Sequence, residues 1–329
     1  MKVSKLFLSA VLVGSLGLFQ ISCEDSTNDP DPDGNGGSAS GTLKVSITDS
    51  PIDSPDVKAV FVTVTEVKVD GKTFDGFKGP KTVNLLELQN GNSLDLGDGK
   101  FNTGTYSKIT LVLDYEKDAS GAAPGCYVQK ADNTKQKLQL SGSTQNAIEL
   151  TTKQFAVQEG KATELVMDFD LRKSIKSETS GSQTNYSFVS YGELQSAIRT
   201  VDRPSSSDIS GKIENYNATT MGNVVVYVYK KGTFNQSTET QGQGDSKIKF
   251  KNAITSAKVD ASGNFKAAFL EQGDYEVHCA SYSKPTGGIF DLKALLTIQS
   301  KNSVDLNSIA LKSDADVSLA ISVNTLLGL

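Results

Sequence analysis

The sequence predicts an all-β protein with two antiparallel β-sandwich domains in tandem, placed after a signal peptide and a disordered tether. Three observations favour this fold class. Apolar residues alternate with polar ones in many short segments, glycine-rich turns separate these segments, and no long apolar pattern at helical spacing follows the N-terminal segment. Short strands joined by frequent turns are typical of sandwiches and barrels.

The first 22 residues have the pattern of a secretory signal peptide. Lys2 and Lys5 precede an apolar or small stretch at residues 6–19. This stretch is too short to span a membrane, which takes about 20 apolar residues. We therefore expect an exported protein.

Cys23 stands directly after that apolar stretch, preceded by Ile21 and Ser22. This pattern resembles a bacterial lipobox, in which the cysteine is diacylated and becomes the mature N-terminus. The resemblance implies a membrane partner, reached through a lipid anchor on Cys23. Ordinary signal cleavage, with Cys23 left as a free or paired thiol, is the alternative.

Residues 23–41 are acidic, rich in turn-forming residues and without an apolar run, so they predict a solvated tether. An acidic start after the lipidated cysteine resembles the signal that sends lipoproteins to the cell surface in some Gram-negative bacteria. It implies an outer-membrane, surface-exposed location. Asp29, Asp31 and Asp33 copy the opening of a calcium-binding EF-hand loop, but Ser40 stands where the closing Glu belongs. We favour the tether.

Charge and composition exclude some functions. Without residues 1–22, which contain two lysines, 31 basic side chains face 38 acidic ones, a net charge of -7. This balance argues against nucleic acid as a partner. Zinc held by four His or Cys ligands is excluded by count, because one His and two Cys remain once Cys23 is set aside as the anchor. For Cys126 and Cys279 we favour unpaired thiols over a disulfide, although an exported protein could form one.

Residues 42–201 predict the first sandwich. Val60, Val62 and Val64 alternate with polar or aromatic residues, and after Glu66 the apolar set changes parity to Val67 and Val69. A parity change within one strand predicts a β-bulge. The following Asp-Gly pair predicts a hairpin turn. Further alternating segments have these apolar positions: Leu43, Val45 and Ile47; Ile109, Leu111 and Leu113; Leu165, Met167, Phe169 and Leu171.

A change of composition at residues 202–208 predicts a linker, and residues 209–329 predict the second sandwich. Residues 233–247 are rich in Gly, Gln, Ser and Thr and predict a long mobile loop. The last alternating strand runs from Val317 to Val323.

The first domain resembles a family of secreted bacterial lipoprotein domains, domain-of-unknown-function family 4382 (DUF4382). The matching motifs span most of residues 41–200. They are the opening LKVSITDSP from Leu43, the valine strand Val57 to Val69, Leu85 to Leu88, Gly104 to Tyr106, and Phe169 to Ile175. The resemblance implies a β-sandwich at the cell surface and gives no activity.

The second domain resembles the carboxypeptidase-regulatory-like, or transthyretin-like, sandwich over about 100 residues. The matching segments are Ile209 to Ile213, the valine strand after Asn223, Asp260 to Phe265, Gly273 to Val277, and Val304 to Leu311. Such modules are often grouped with starch-binding folds. A fold does not by itself assign a function.

Catalytic chemistry has little support in the sequence. His278 is next to Cys279, and neighbours on a strand point to opposite faces, so the two cannot form a dyad. Asp168 and Asp170 share one strand face at about 7 Å. That spacing could serve glycoside hydrolysis. A solvated strand face is the simpler interpretation, and we predict no enzyme activity.

Calcium is the one cofactor that the sequence supports, and only weakly. Asp49, Asp53 and Asp56 lie in a Ser- and Pro-rich loop after the first strand, and carboxylate oxygens at short spacing suit a hard cation. The alternative, which we favour, is that these residues form turns.

Tyr227 and Tyr229 share one face of a strand and are the candidate ligand-binding residues, as a stacking surface for a glycan. Val225 lies on the same face, so packing in a core is the competing role.

The sequence thus predicts a lipid-anchored, non-catalytic surface protein that binds or presents an extracellular ligand, a glycan or a surface protein. The loops at residues 49–56 and 233–247 are the candidate contact regions. The alternative is a fimbrial or adhesin subunit whose C-terminal strand adds to a neighbour's sheet.

Overall fold

The computed structural model describes residues 39–51, 57–180, 183–283 and 291–328. The predicted all-β class is confirmed. Residues from Ser38 onwards form one compact unit. We call residues 40–202 the N-terminal half and residues 206–328 the C-terminal half.

The N-terminal half contains thirteen described strands, several of them only two to four residues long. They are β1 (Ser40–Ser50), β2 (Val57–Val69), β3 (Lys72–Thr73), β4 (Lys81–Asn84), β5 (Leu94–Asn102), β6 (Gly104–Leu113), β7 (Tyr127–Lys130), β8 (Lys135–Lys137), β9 (Ala147–Val157), β10 (Ala162–Asp170), β11 (Ile175–Ser180), β12 (Gln183–Phe188) and β13 (Ile198–Asp202).

The described part of the C-terminal half contains eight strands. They are β14 (Ser206–Ile213), β15 (Asn223–Lys230), β16 (Thr255–Lys258), β17 (Asn264–Glu271), β18 (Gly273–Ser283), β19 (Asp291–Ser300), β20 (Ile309–Leu311) and β21 (Val317–Gly328).

The described helices are a single turn or two long, as expected where no helical pattern was found. They are α1 (Leu171–Ser174), α2 (Tyr191–Ala197), α3 (Ala218–Met221) and α4 (Gln236–Glu239), with 3₁₀ turns at Leu85–Leu88 and Arg203–Ser205.

Two sheets enclose the core of the N-terminal half. One has the order β13-β10-β1-β5 and the other β8-β7-β2-β6-β9, with β3 and β4 beside β2. Alternation explains which side chains fill the space between them: Leu43, Val45 and Ile47 of β1 are fully buried. The β1–β10 pair is parallel, and the other pairs of these two sheets are antiparallel.

The bulge and the hairpin turn predicted in β2 are both present. The register of β2 against β6 shifts between Val64 and Glu66, and the valines on both sides of the shift are fully buried. Asp70 and Gly71 then connect β2 to β3 with φ of 44° and 79°. Two positive φ values between paired strands are those of a two-residue hairpin turn.

The C-terminal half is one eight-stranded sheet with its own core. Its order is β16-β15-β18-β19-β21-β14-β17, and β20 pairs with β18. The edge strands β16 and β17 lie close to each other, so the sheet curls towards a barrel. Both edges also lie against the N-terminal half, β16 near β1 and β17 near β13. The N-terminal half therefore covers the backbone edges that would otherwise be open to pairing.

The two-domain division stays a prediction. Each half has its own large apolar cluster, but both halves belong to the same compact unit. The predicted linker at residues 202–208 contains the end of β13, the 3₁₀ turn and the start of β14.

The C-terminal strand is not a free edge. β21 lies between β14 and β19 and pairs with both. The prediction that Val317 to Val323 adds to a neighbour's sheet is therefore wrong for this conformation, because the backbone groups on both sides of the strand already have partners.

Candidate functional site

The tyrosines predicted to stack on a glycan are buried. Tyr227 and Tyr229 are both 0% exposed. Phe250 stacks on Tyr227 with 4.1 Å between ring centroids, and the Tyr229 hydroxyl donates to Glu239 at 2.8 Å. No ring face is left for a sugar, so this site prediction is wrong and the competing packing role is correct.

The segment that covers these tyrosines is the loop predicted to be mobile. We call residues 233–253 the strap. It includes α4, and its Glu239 is fully buried. Glu239 accepts hydrogen bonds from Tyr229 and from the Asn252 and Gln243 side chains. Composition alone predicted mobility because it does not show that two of the strap's aromatic rings and one carboxylate find partners on the sheet.

The two cysteines of the described residues are free and buried. Cys126 belongs to the core of the N-terminal half and Cys279 to that of the C-terminal half. Burial raises the pKa of each thiol to about 12. Thiols this far from ionisation are poor nucleophiles, so both act as small apolar core residues.

His278 lies on the opposite strand face from Cys279, as predicted. Its ring stacks on Phe234 with 3.7 Å between centroids, and its Nε2 is 3.7 Å from a Glu276 carboxylate oxygen. Burial lowers the pKa of His278. The ring therefore serves as a neutral stacking partner of the strap.

The predicted calcium residues are only partly described. Asp53 and Asp56 lie outside the described residues, and Cys23 does too. Asp49 is buried, and its Oδ1 accepts a hydrogen bond from the Leu171 backbone N–H at 3.2 Å. Within the described ranges, no three His, Cys, Asp or Glu side chains are arranged to hold a metal ion. Calcium binding through the full loop stays a prediction.

Asp168 and Asp170 are not on a solvated face. Both are 3% exposed, because the outer face of β10 packs against the C-terminal half. The prediction of a solvated face is therefore wrong. A signal was present in the sequence: Arg172 and Lys173 follow at once, and charges of opposite sign this close can be buried together.

We call the contact of β10, α1 and β13 with β17 and the strap the junction between the halves. Arg199 and Asp168 form its first ion pair. They face each other across β13 and β10, and Arg199 Nη2 is 2.7 Å from Asp168 Oδ2. The same guanidinium donates to the backbone carbonyls of Ala268 at 3.1 Å and Phe269 at 2.5 Å, both on β17. The guanidinium thus satisfies the edge of the C-terminal sheet while Asp168 holds it in place.

Asp170 anchors the second group of cations. Its Oδ2 is 3.0 Å from Arg172 Nη2 and 3.3 Å from Lys173 Nζ. Arg172 Nη1 donates to the carbonyls of Lys249 at 2.9 Å and Phe250 at 2.7 Å. Lys173 donates to a third strap carbonyl, that of Ala253, at 2.5 Å.

The same arrangement of carboxylate, cation and carbonyl therefore occurs at several places in the junction. Carboxylates of β10 hold cations of the N-terminal half, and these cations donate to five backbone carbonyls of the C-terminal half. Ser50 and Thr255 add a buried hydroxyl pair at 2.8 Å, and Val166 packs on Ala268 and Phe269. Partial separation of the halves would leave buried charges and carbonyls without partners, which is costly.

Asp49 lies near Asp168 and Asp170, and among the described residues it has no ion pair. Burial raises the pKa of Asp49 well above its ordinary value, and the neighbouring carboxylates of Asp168 and Asp170 add to the shift. The described residues offer no hydrogen-bond partner to its Oδ2. The neutral form is therefore the one that the fold accommodates.

An open groove of about 410 Å³ lies where β9 and β13 approach each other. Exposed polar side chains surround the largely buried ring of Phe155, which is 9% exposed. The lining residues are Gln154, Phe155, Ala156, Gln158, Lys161, Ala162, Thr163, Asp202 and Pro204. Amide, carboxylate and ammonium groups beside an apolar surface can donate and accept hydrogen bonds around a polar ligand. Sequence reasoning missed this groove, because its residues come from three separate segments.

Comparison with protein families confirms the first resemblance. Residues 40–189 match the family described as "Domain of unknown function (DUF4382)". No curated protein matches the chain. The carboxypeptidase-regulatory-like resemblance of the second domain stays a prediction.

Solved structures that this chain matches include a leucine-rich repeat protein from Bacteroides thetaiotaomicron, at 12% identity and a TM-score of 0.22. The alignment covers 88% of this chain and only 27% of that one. BcpA, the major pilin subunit of Bacillus cereus, has 11% identity and a TM-score of 0.22, with 87% and 70% covered. GBS52, the minor pilin of Streptococcus agalactiae, has 12% identity and a TM-score of 0.18, with 87% and 98% covered. These values are too low to support an argument about function.

In the part of the chain that the structure describes, no helix has the length and apolar character needed to cross a membrane.

Proposed function

We propose that this chain is a lipid-anchored, non-catalytic protein of the outer cell surface that binds an extracellular glycan in the groove between β9 and β13. The groove is the observation that carries the binding role. Its size, about 410 Å³, lies within the range of ligand sites, and its exposed groups are those that hydrogen-bond hydroxyl-rich molecules.

The junction supports this role by keeping the groove in shape. Asp202, the last residue of β13, lines the groove, and Arg199 of the same strand is held by Asp168 and by two carbonyls of β17. Lys153, next to the groove residue Gln154, forms an ion pair with Glu271 of the C-terminal half. A preformed groove loses less conformational entropy on binding than a mobile loop does.

The location rests on the sequence. The short apolar segment that ends at Cys23 and the acidic residues after it support an anchor and a tether, with the β unit displayed outside.

A glycan array with the purified protein tests the binding role. We expect binding that is lost in Gln158→Ala and Asp202→Ala, because both variants remove groove hydrogen-bonding groups that are exposed in the unliganded protein. Gln139→Ala is the matched control, since Gln139 is an exposed glutamine in a smaller cavity elsewhere on the N-terminal half. A blank array would contradict the glycan proposal, and so would binding that is unchanged in both groove variants.

Fractionation of cells tests the anchor separately. Cys23→Ala should move the protein from the membrane fraction to the soluble fraction, because the acylated residue is gone. Mass spectrometry of the wild-type N-terminus should show acyl chains on Cys23. Retention of the variant in the membrane would show that the anchor assignment is wrong.

A further inference from the structure

The strap, residues 233–253, has a composition that does not favour order, yet it joins the two halves. Its residues 233–247 are mostly Gly, Gln, Ser and Thr. Ile248 belongs to the core cluster of the N-terminal half, whereas Phe250 belongs to a cluster on the outer face of the C-terminal sheet. Two apolar side chains, two residues apart, thus anchor the strap in different halves.

The strap backbone is strained next to these anchors. Lys247 has φ of 54° and Phe250 has φ of 50°. Residues with side chains rarely adopt positive φ, and they keep this conformation only where their surroundings hold it. Lys247 is exposed, so only the backbone can hold its conformation.

Backbone hydrogen bonds between Gln243 and Ile248 close the strained turn within the strap, and the N-terminal half supplies further groups that hold it. Arg172 donates to the carbonyls of Lys249 and Phe250, the latter a strained residue itself. Glu193 of α2 accepts hydrogen bonds from the Ser246 backbone N–H at 3.3 Å and from its hydroxyl at 2.6 Å. The strained positions therefore lie between two fixed points of the N-terminal half.

The contact between the strap and α2 is not filled throughout. A cavity of about 210 Å³ lies beside the hydrogen bonds between Ser246 and Glu193, lined by Lys173, Glu193, Ser196, Ile248, Lys251 and Asn252. A cavity of this size has room for several water molecules. Water can therefore take over the hydrogen bonds that the strap makes to Glu193 when the strap opens.

We propose that the strap is a latch, by which we mean a segment kept in a strained conformation. It stays ordered only while Arg172 donates hydrogen bonds to its carbonyls at the junction. When these hydrogen bonds are lost, the strained turn relaxes and the strap opens locally, while the β-sheets stay folded. Loosening of the junction is thereby converted into a change at the protein surface, where a long polar segment becomes accessible.

Hydrogen exchange measured by mass spectrometry on the full mature chain tests the latch. In Arg172→Gln, we expect amides of the strap to exchange at least about tenfold faster than in wild type, while β15 and β18 amides change by no more than about twofold. Arg199→Gln is the matched control. It also removes a junction arginine, a partly buried one, that donates to β17 and not to the strap.

Three outcomes would overturn the latch: strap protection unchanged in Arg172→Gln, strap protection lost equally in Arg199→Gln, or loss of protection spread evenly over the sheets. If Arg172→Gln does not fold, Glu193→Gln provides the same readout, because it weakens the other fixed point of the strap.

Limited digestion with trypsin gives a second readout, since Lys247, Lys249 and Lys251 lie in the strap. We expect cleavage there to be faster in Arg172→Gln and near the wild-type rate in Arg199→Gln. Lys247→Asn should slow strap opening, because Asn adopts positive φ more readily than Lys does. Faster opening in Lys247→Asn would contradict the strain on which the latch depends.

Discussion

Asp168 and Arg199 show how one residue pair can serve two structural needs. Arg199 neutralises a carboxylate buried in the N-terminal half and also satisfies two edge carbonyls of the C-terminal half. Removing Arg199 leaves Asp168 buried without its closest cation. Breaking a buried pair from one side typically costs about 3–5 kcal/mol.

We therefore expect Arg199→Ala to lower the free energy of unfolding by about 3 kcal/mol in urea denaturation. Lys108→Ala is the control, because it breaks an exposed pair with Glu149 at 2.9 Å. Exposed pairs contribute about 0–1 kcal/mol. An equal loss of unfolding free energy in the two variants would mean that the junction pair contributes no more to stability than an exposed pair does.

Asp49 predicts a pH dependence of stability. Folding raises its pKa, because the side chain is buried beside two other carboxylates. An unfolded aspartate titrates near pH ~3.9. The folded protein therefore keeps a proton that the unfolded chain has released. The stabilising contribution of the neutral side chain is fully present below about pH 4 and is lost as the pH rises through the folded pKa.

Asp49→Asn, which stays neutral at every pH, isolates this contribution. We expect the stability of wild type to fall relative to Asp49→Asn as the pH is raised above about 4, the unfolded pKa of aspartate. Thermal unfolding at several pH values measures the difference. Parallel pH profiles of the two proteins would show that Asp49 does not titrate with folding.

At the scale of elements, two glycines show that a turn and a helix require different backbone conformations. Gly71 has φ of 79° in the β2–β3 turn, and a Cβ added there would meet no atom within 4 Å. Gly192 in α2 has equal space around it, but its φ is not positive. Only backbone conformation therefore distinguishes the two positions.

Gly71→Ala should destabilise the protein by about 1 kcal/mol, the cost of a left-handed conformation for a residue with a side chain. Gly192→Ala should stabilise it by up to about 1 kcal/mol, because alanine favours the helix. Chemical denaturation of the two variants compares them directly. The same sign of change in both would contradict the backbone argument.

At the scale of the whole molecule, the junction couples the two halves. Cations from the N-terminal half satisfy carbonyls on β17 and on the strap. Partial unfolding of either half would leave buried charges or carbonyls without partners, which is costly. We expect the two cores to unfold together, although each has its own apolar cluster.

Calorimetry of the mature chain checks this coupling. A single transition is expected, with the calorimetric enthalpy equal to the van't Hoff enthalpy. Two resolved transitions in wild type would show that the halves unfold independently. In Arg199→Ala, the transition should move to lower temperature or split, because the coupling is weakened.

Sequence periodicity correctly predicted many local features. The alternation of β1 and β2, the bulge before Glu66 and the Asp70-Gly71 turn all follow from side chains within a few positions of each other. The outer faces of strands were predicted poorly. Asp168 was assigned to a solvated face, and Tyr227 was a candidate stacking residue with core packing as the competing role; both are buried.

The amino-acid sequence by itself thus determined the all-β class, the strand positions and the burial of the inner strand faces, because alternation and turn chemistry act over a few residues. Only the tertiary structure decided what covers the outer faces: the strap over Tyr227 and Tyr229, and the C-terminal half over Asp168 and Asp170. Covering residues such as Phe250 and Ala268 lie outside the few positions over which alternation acts, and whether a strand face meets water or another segment depends on where those residues pack.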